Sequence, residues 1–334
     1  MRPRVRPSSS TSATVLDGGG RVGAALLLAL ALGAGSARAQ GIHARDDAGR
    51  DIFLPAPARR VVSLAPHATE LLFAAGAGPY VVGVDRYSDR PEPARGLPRV
   101  GDGLRPDAER ILALAPDLIV LWAYGDGPVP ATLPETLMKR LGIALYYSNP
   151  RMLADIPEAT VRLGTLTGTR TAAEAHAAPM RRRLAELARR YAGRRPVRVF
   201  YQVGTQPMYT VNDSGIIGDA LRLCGAVNIF GKLSAAAPMV GVEGVLRENP
   251  QAIILGRSGP GAQAALQDWK ALGPALAAVP DNLWTVDPDA MHRPGPPMIE
   301  ATARLCELID TARRRTAHAA PASMQTRERP AVGR

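Results

Sequence analysis

A thirteen-residue pattern occurs twice in this chain and restricts its fold more than any other feature. The first copy, E-R-I-L-A-L-A-P-D-L-I-V-L, starts at Glu109, and the second, E-G-V-L-R-E-N-P-Q-A-I-I-L, starts at Glu243. Each sets a carboxylate ahead of a short apolar stretch, then a proline, then a run rich in leucine, isoleucine or valine. A helix of about two turns feeding a parallel strand fits that order, because runs apolar on both faces belong to sheets covered on both sides. Duplication on this scale predicts two similar α/β lobes in place of one large core. Two lobes on one chain enclose a cleft, and such clefts bind ligands.

The rest of the chain follows the same alternation. In a first lobe (residues 40–150), strands are predicted at 60–65, 81–85, 117–122 and 143–147, with helices from Pro66, near Glu109 and over 134–141. A linking region (151–196) holds a helix over 156–166 and a long one over 169–191, where Pro179 predicts a kink or the effective start. A second lobe (197–310) repeats the alternation: strands at 198–203 and 283–286, helices at 216–224, 265–272 and 297–310. Strand–helix alternation at this spacing indicates mainly parallel sheets flanked by helices. A helix of some twenty residues spans roughly 30 Å, enough to join two lobes as a strut.

The 334 residues carry a formal charge of +11, which suggests nucleic acid until the charge is located. Four of those charges fall in residues 1–39 and five in the tail 311–334, so the body carries only +2. A near-neutral body argues against a nucleic-acid partner. The tail, rich in Ala, Pro and Arg, is expected to be a disordered end. Residues 1–39 read as an export signal: Arg2, Arg4, Arg6 and Arg21, an apolar run over Val22–Leu32 too short to span a bilayer, and Ala37-Arg38-Ala39 as cleavage site. The mature chain is then expected in the periplasm, with no stable membrane insertion, and as a monomer. Cys224 and Cys306 are the two cysteines. In an oxidising compartment one disulfide is the leading expectation, worth about 4 kcal/mol in the chain-entropy model; two separate buried thiols are the alternative.

No phosphate loop, dinucleotide fingerprint, G-x-S-x-G elbow or H-E-x-x-H is present. An enzymatic role is therefore not expected, an exported hydrolase using Ser63 being the remote alternative. Ligands of open α/β sheets bind beyond the carboxyl ends of the strands. That rule selects Pro66, His67, Arg86, Tyr87, Asp102, Trp122 and Tyr124 in the first lobe, and Met208, Tyr209, Met239, Met291, His292 and Arg293 in the second. Aromatic and methionine side chains suit a large, flat, partly apolar ligand better than an amino acid or a sugar. Core packing is the alternative for any one of them, Met239 above all. His67 and His292 are also candidate axial ligands to a metal-bearing macrocycle, although His67 reads first as a residue opening a helix. Glu109 and Glu243 hold matched places in the two copies, each in a helix's first turn, where a carboxylate also favours the helix dipole. Matched acidic points could meet arginines of a two-fold symmetric partner.

R-V-V-S-L-A-P-H-A-T-E-L-L-F-A-A-G from Arg60, V-V-G-V-D-R-Y-S-D-R-P from Val81 and A-E-R-I-L-A-L-A-P-D-L-I-V-L-W from Ala108 resemble the helical-backbone substrate-binding proteins of ABC importers. The likeness continues through G-D-A-L-R-L-C-G-A-V-N-I-F and the second repeat copy, and spans about residues 59–310. Members of that family capture cobalamin, haem and ferric siderophores, and the cobalamin-binding pattern is the nearest. The resemblance implies a class III periplasmic binding protein: two Rossmann-like lobes joined by one backbone helix, with no cofactor of its own. It implies a corrinoid ligand facing Tyr87 and Trp122, with haem or a ferric siderophore as alternatives and no protein-bound metal, His292 being an axial ligand only if the cargo is haem. It further implies docking of Glu109 and Glu243 to a permease dimer with its ATPase, and a Cys224–Cys306 disulfide. Gly103 and Ala237 stand where, or near where, the cobalamin-binding pattern carries tryptophan, which leaves cobinamide and haem as competitors.

Overall fold

The computed structural model describes residues 41–122, 133–273 and 281–318. Strands β1 (Ile42–Arg45) and β2 (Asp51–Leu54) form an antiparallel hairpin that the alternation did not reveal, since four-residue strands carry little periodicity. Its turn is tied by Asp46, whose carboxylate accepts the backbone N–H groups of Ala48 and Arg50 and pairs with the Arg50 guanidinium.

The first lobe runs β3 (Val61–Ser63), α1 (Pro66–Ala74), β4 (Val81–Val84), α2 (Ala108–Ala113), β5 (Leu118–Trp122), α3 (Glu135–Arg140) and β6 (Ala144–Ser148). All four strands are parallel, in the order β4-β3-β5-β6. Then come α4 (Asp155–Thr167) and the long α5 (Arg170–Tyr191). The second lobe runs β7 (Val197–Gln202), α6 (Ile216–Leu223), β8 (Ala226–Asn228), α7 (Val242–Glu248), β9 (Ala252–Gly256), α8 (Pro260–Ala271), β10 (Leu283–Val286), α9 (Pro288–His292) and α10 (Pro297–His318). Its order, β8-β7-β9-β10, is again all parallel. Strand for strand this is the topology of the first lobe, so the repeat expected from sequence is a repeat of fold. Its two copies are the equivalent units α2–β5 and α7–β9, and β5 and β9 are buried nearly throughout.

The duplication extends to backbone conformation. Among the described residues, Ala115 and Asn249, each preceding the proline of its copy, are the non-glycine residues at positive φ, both at 42°. The left-handed turn lets a short helix reverse directly into a strand although proline disfavours a helical predecessor.

Helix α5 runs unbroken through Pro179. Pro179 removes the partner of the Ala175 carbonyl, but both residues lie on the exposed face, where water can accept that role. The helix is clipped to both lobes. Arg181 pairs with Glu158 of α4, and Arg183 with Glu300 of α10. Residues 311–318, expected to belong to a disordered tail, are helical instead, because α10 continues to His318. Arg313 anchors that extension: its buried guanidinium donates to the carbonyls of Arg195 and Cys224 and pairs with Asp310. Cys224 and Cys306 form a disulfide with Cα atoms 4.6 Å apart, joining α6 to α10. Among the described residues no helix is long and apolar enough to cross a membrane.

Candidate functional site

In both sheets the strand order reverses beside the first strand of the lobe, at β3/β5 and β7/β9. The carboxyl ends of these pairs are where an open α/β sheet leaves a crevice. A cavity of ≈ 520 Å3 lies between the two crevices, lined from the first lobe by Trp122 and Asn149–Arg151 and from the second by Val203, Val211 and the loop Asn212–Gly218. Ala236, Ala237, Met291, His292 and Pro294 complete the wall. Its size falls within the range of small-molecule sites, about 300–1,000 Å3. A second hollow, of ≈ 580 Å3, touches only the second lobe, beside edge strand β10, and does not join the two.

Trp122 ends β5 half-exposed, its indole turned to the cavity and its back to His67, 5.0 Å between ring centroids and 71° between planes. His67 is completely buried; its Nε2 lies 3.1 Å from the Ser148 hydroxyl, and its Nδ1 has no hydrogen-bond partner. Desolvation pushes its pKa down to about 3, so the ring is neutral and apolar in effect. The expectation that His67 touches ligand or metal is therefore corrected: as the second residue of α1 it is turned onto the sheet and braces Trp122 from behind. His292 does line the cavity. Its Nε2 is 3.1 Å from the hydroxyl of buried Tyr201, and burial lowers its pKa below the ordinary value. Burial also keeps the Tyr201 phenol protonated, and toward the Nδ1–H tautomer that hydroxyl donates. A glycine at 256 is required here, since a Cβ would stand 2.4 Å from His292 Nε2 and 2.6 Å from the Tyr201 oxygen.

Of the remaining sequence-predicted residues, Met291 reaches the wall although its side chain is otherwise enclosed. Arg293 does not reach it: its guanidinium is drawn to Asp89 at 2.7 Å and Asp289 at 2.9 Å, with Glu70 at 3.8 Å. Three carboxylates outcompete a cavity whose described lining has no acidic side chain, and Arg293 becomes a clasp between lobes, matched by Arg90–Asp287 at 3.7 Å. Arg86 and Asp102 pair with each other at 3.2 Å beside the strand ends. Pro66 is half-buried at the start of α1, and Met208 packs on the core of the second lobe. Tyr87 and Met239 are 59% and 68% exposed and lie outside the cavity wall, as does Tyr209, which bridges to Met239. Tyr124 falls outside the described residues.

The sequence reading missed Asn149–Arg151 and the loop Asn212–Gly218. The first follows β6, and the strand-end rule reaches it once β6 is extended to Ser148. The second is betrayed only by Gly218, where a Cβ would stand 2.6 Å from the Asp213 Cα, so the loop can fold back against α6. Glu109 and Glu243 are exposed in the first turns of α2 and α7, and among the described residues neither has an ion-pair partner.

Residues 61–280 match the periplasmic binding protein family. A vitamin B12-binding protein of Vibrio cholerae serotype O1 is 34% identical over 261 residues, covering 78% of this chain and 92% of that relative. A vitamin B12-binding protein of Pectobacterium carotovorum subsp. carotovorum is 37% identical over 254 residues, covering 75% and 88%. The crystal structure of the periplasmic vitamin B12 binding protein of Vibrio cholerae superposes with a TM-score of 0.69 at 34% identity, over 77% of this chain and 99% of that one. The periplasmic haem binding protein of the same species, 22% identical with a TM-score of 0.63 over 75% and 98%, shares the fold. With two equivalent parallel-sheet lobes, one backbone helix and this extent of matching sequence, the chain belongs to the periplasmic binding protein family of ABC importers.

Proposed function

We propose that this chain captures a corrinoid between its lobes in the periplasm and delivers it to the permease and ATPase of an ABC importer. The observation that carries the reading is the interlobe cavity itself, walled by Trp122 and otherwise largely apolar, with Arg151 as its one charged side chain among the described lining residues, in a chain with vitamin B12-binding relatives aligned over nearly their whole length. A broad hydrophobic wall with one indole suits the flat macrocycle, whose cobalt brings its own ligands and needs no protein donor. The described residues fit that demand. His67 is sealed behind Trp122, and His292 is engaged with Tyr201. Haem is the second reading, favoured by His292 on the wall and by a solved periplasmic haem-binding protein from Roseiflexus, 25% identical with a TM-score of 0.63.

Titration of the purified protein with cyanocobalamin, dicyanocobinamide and haemin, followed in the visible spectrum, separates the two. Saturable binding of a corrinoid is expected. Binding of haemin alone, with a Soret shift lost in His292→Ala, would replace the corrinoid reading by the haem one. For delivery, Glu109 and Glu243 supply one acidic point on each lobe at equivalent helix starts, suited to paired arginines on a two-fold permease. Reversing both charges (Glu109→Lys with Glu243→Lys) is expected to abolish uptake with ligand affinity unchanged. Uptake at the wild-type rate would remove the docking role.

A further inference from the structure

Among the described arginines at strand ends near the cleft, Arg86 and Arg293 are neutralised within the chain, and Arg257, just beyond β9, donates to the Thr205 hydroxyl at 2.6 Å. Arg86 has Asp102, and Arg293 has Asp89 and Asp289. Arg151, just beyond β6, lines the cavity and has no carboxylate partner among the described residues. Two acidic groups of this region are engaged by backbone N–H groups and, for Asp219, by another arginine. Asp155 accepts the backbone N–H groups of Arg151 and Met152 at 2.9 and 2.8 Å through its Oδ2. Asp219 accepts the N–H of Leu153 at 2.9 Å and pairs with Arg222.

The rest of the described wall carries no formal charge. Asn149, Asn212 and Ser214 are neutral, and His292 is held in its neutral form by burial. Arg151 is thus the one charged side chain among the described lining residues. A ligand that covers that guanidinium strips water from it. A charge desolvated without a partner is costly, whereas one that meets an oxyanion gains a charge-assisted, two-pronged hydrogen bond. The cavity therefore discriminates by charge as well as by shape.

We propose that Arg151 is a specificity-determining residue that selects macrocycles bearing a peripheral oxyanion. The inference rests on the reading of the cavity as a macrocycle site. Two ligand groups carry the required chemistry: the phosphodiester of the nucleotide loop in cobalamin, and the propionate carboxylates of haem. Cobinamide has the same corrin ring as cobalamin but no phosphodiester, and so serves as the anion-free control.

The test is a ligand-by-variant comparison on the purified chain, with cyanocobalamin, dicyanocobinamide and haemin against wild type, Arg151→Gln, Arg151→Glu and Arg151→Lys. Arg151→Gln is expected to weaken the anion-bearing ligand about tenfold, the scale of one charged hydrogen bond. Arg151→Glu should weaken it further and Arg151→Lys less, with cobinamide affinity changed less than about twofold by Arg151→Gln, since no hydrogen bond to the guanidinium is lost there. A loss for cyanocobalamin assigns the contact to phosphate, and a loss for haemin assigns it to carboxylate. Because Arg151 is exposed, unchanged melting curves are expected to show that all variants fold. Equal losses for cobinamide and the anionic ligands, or no loss for any, would overturn the role of Arg151 while leaving macrocycle binding in place. Failure of all three ligands to bind wild type would instead overturn the reading of the cavity, and this inference with it.

Discussion

Ala115 and Asn249 perform the same backbone task with unequal means. Both are at φ 42° before a proline, but asparagine tolerates the left-handed region, whereas a plain Cβ costs roughly 1–2 kcal/mol there. Ala115→Asn is therefore expected to stabilise the protein by about 1 kcal/mol, seen as a higher urea midpoint at unchanged slope. A second residue-scale consequence concerns protons. Glu70 is buried with neither carboxylate oxygen hydrogen-bonded, and desolvation, only partly offset by Arg293 and Arg90, raises its pKa from 4.5 to about 7. Its contribution to stability is complete below about pH 4.5 and is lost as the pH climbs through 7. His67 slopes the other way: lowered from 6.5 to about 3, it contributes above pH 6.5 and loses that contribution as the pH falls. Between pH 4.5 and 6.5 the two trends offset each other. Glu70→Gln removes one of them, so the variant should grow more stable with pH across that window and exceed wild type by about 2 kcal/mol at pH 8. Parallel melting curves of variant and wild type from pH 4.5 to 8 would refute that assignment.

At the scale of elements, the helices that wall the cavity owe their positions to links made far from it. Helix α6 presents its first turn to the cavity and ends at Cys224, which the disulfide ties to α10 across 82 positions of sequence. Replacing both cysteines by serine should cost about 4 kcal/mol by freeing that loop in the unfolded chain. Ligand affinity should fall as well, because α6 loses the tie behind its cavity-facing end. Denaturation of the double variant, compared with wild type with and without reductant, checks both. Helix α5 behaves as a spacer whose surface arginines are fixed to α4 on one side and α10 on the other. Each such exposed pair is worth little by itself, about 0.2–1 kcal/mol, so the strut is held in register mainly by the buried Ala173, Ala177, Leu184, Leu187 and Tyr191.

For the whole molecule, two kinds of connection hold the lobes. The strut joins them along one side, and the Arg293–Asp89 and Arg90–Asp287 pairs clasp them near the cavity. A continuous helix resists hinge bending better than extended crossing strands, which absorb it in a few backbone angles. Small-angle scattering curves with and without ligand are accordingly expected to superimpose. A marked drop in radius of gyration on binding would show that the clasp and the strut yield. If the gap is preset, selectivity is expected to come from the shape and charge of the walls, not from closure.

The duplicated α/β plan, the strut and most strand positions are legible in the order of amino acids, because hydrophobic periodicity and the proline-marked repeat are local signals. The sequence also placed Trp122 at the end of β5, where chain direction alone puts a residue beside a crevice, whereas Met291 and His292, expected just after a strand, stand in the last turn of α9. Which way those side chains face depends on packing between distant parts of the chain. His67, Arg293 and Met208 obeyed the same strand-end rule, yet one is sealed behind an indole, one is captured by carboxylates and one is packed into a core. Those outcomes depend on partners distant in sequence: Ser148 for His67, Asp89 for Arg293. The continuation of α10 past residue 311 has the same cause, since Arg313 is charged and tail-like in sequence but finds the carbonyls of Arg195 and Cys224 only once the lobe has closed around it.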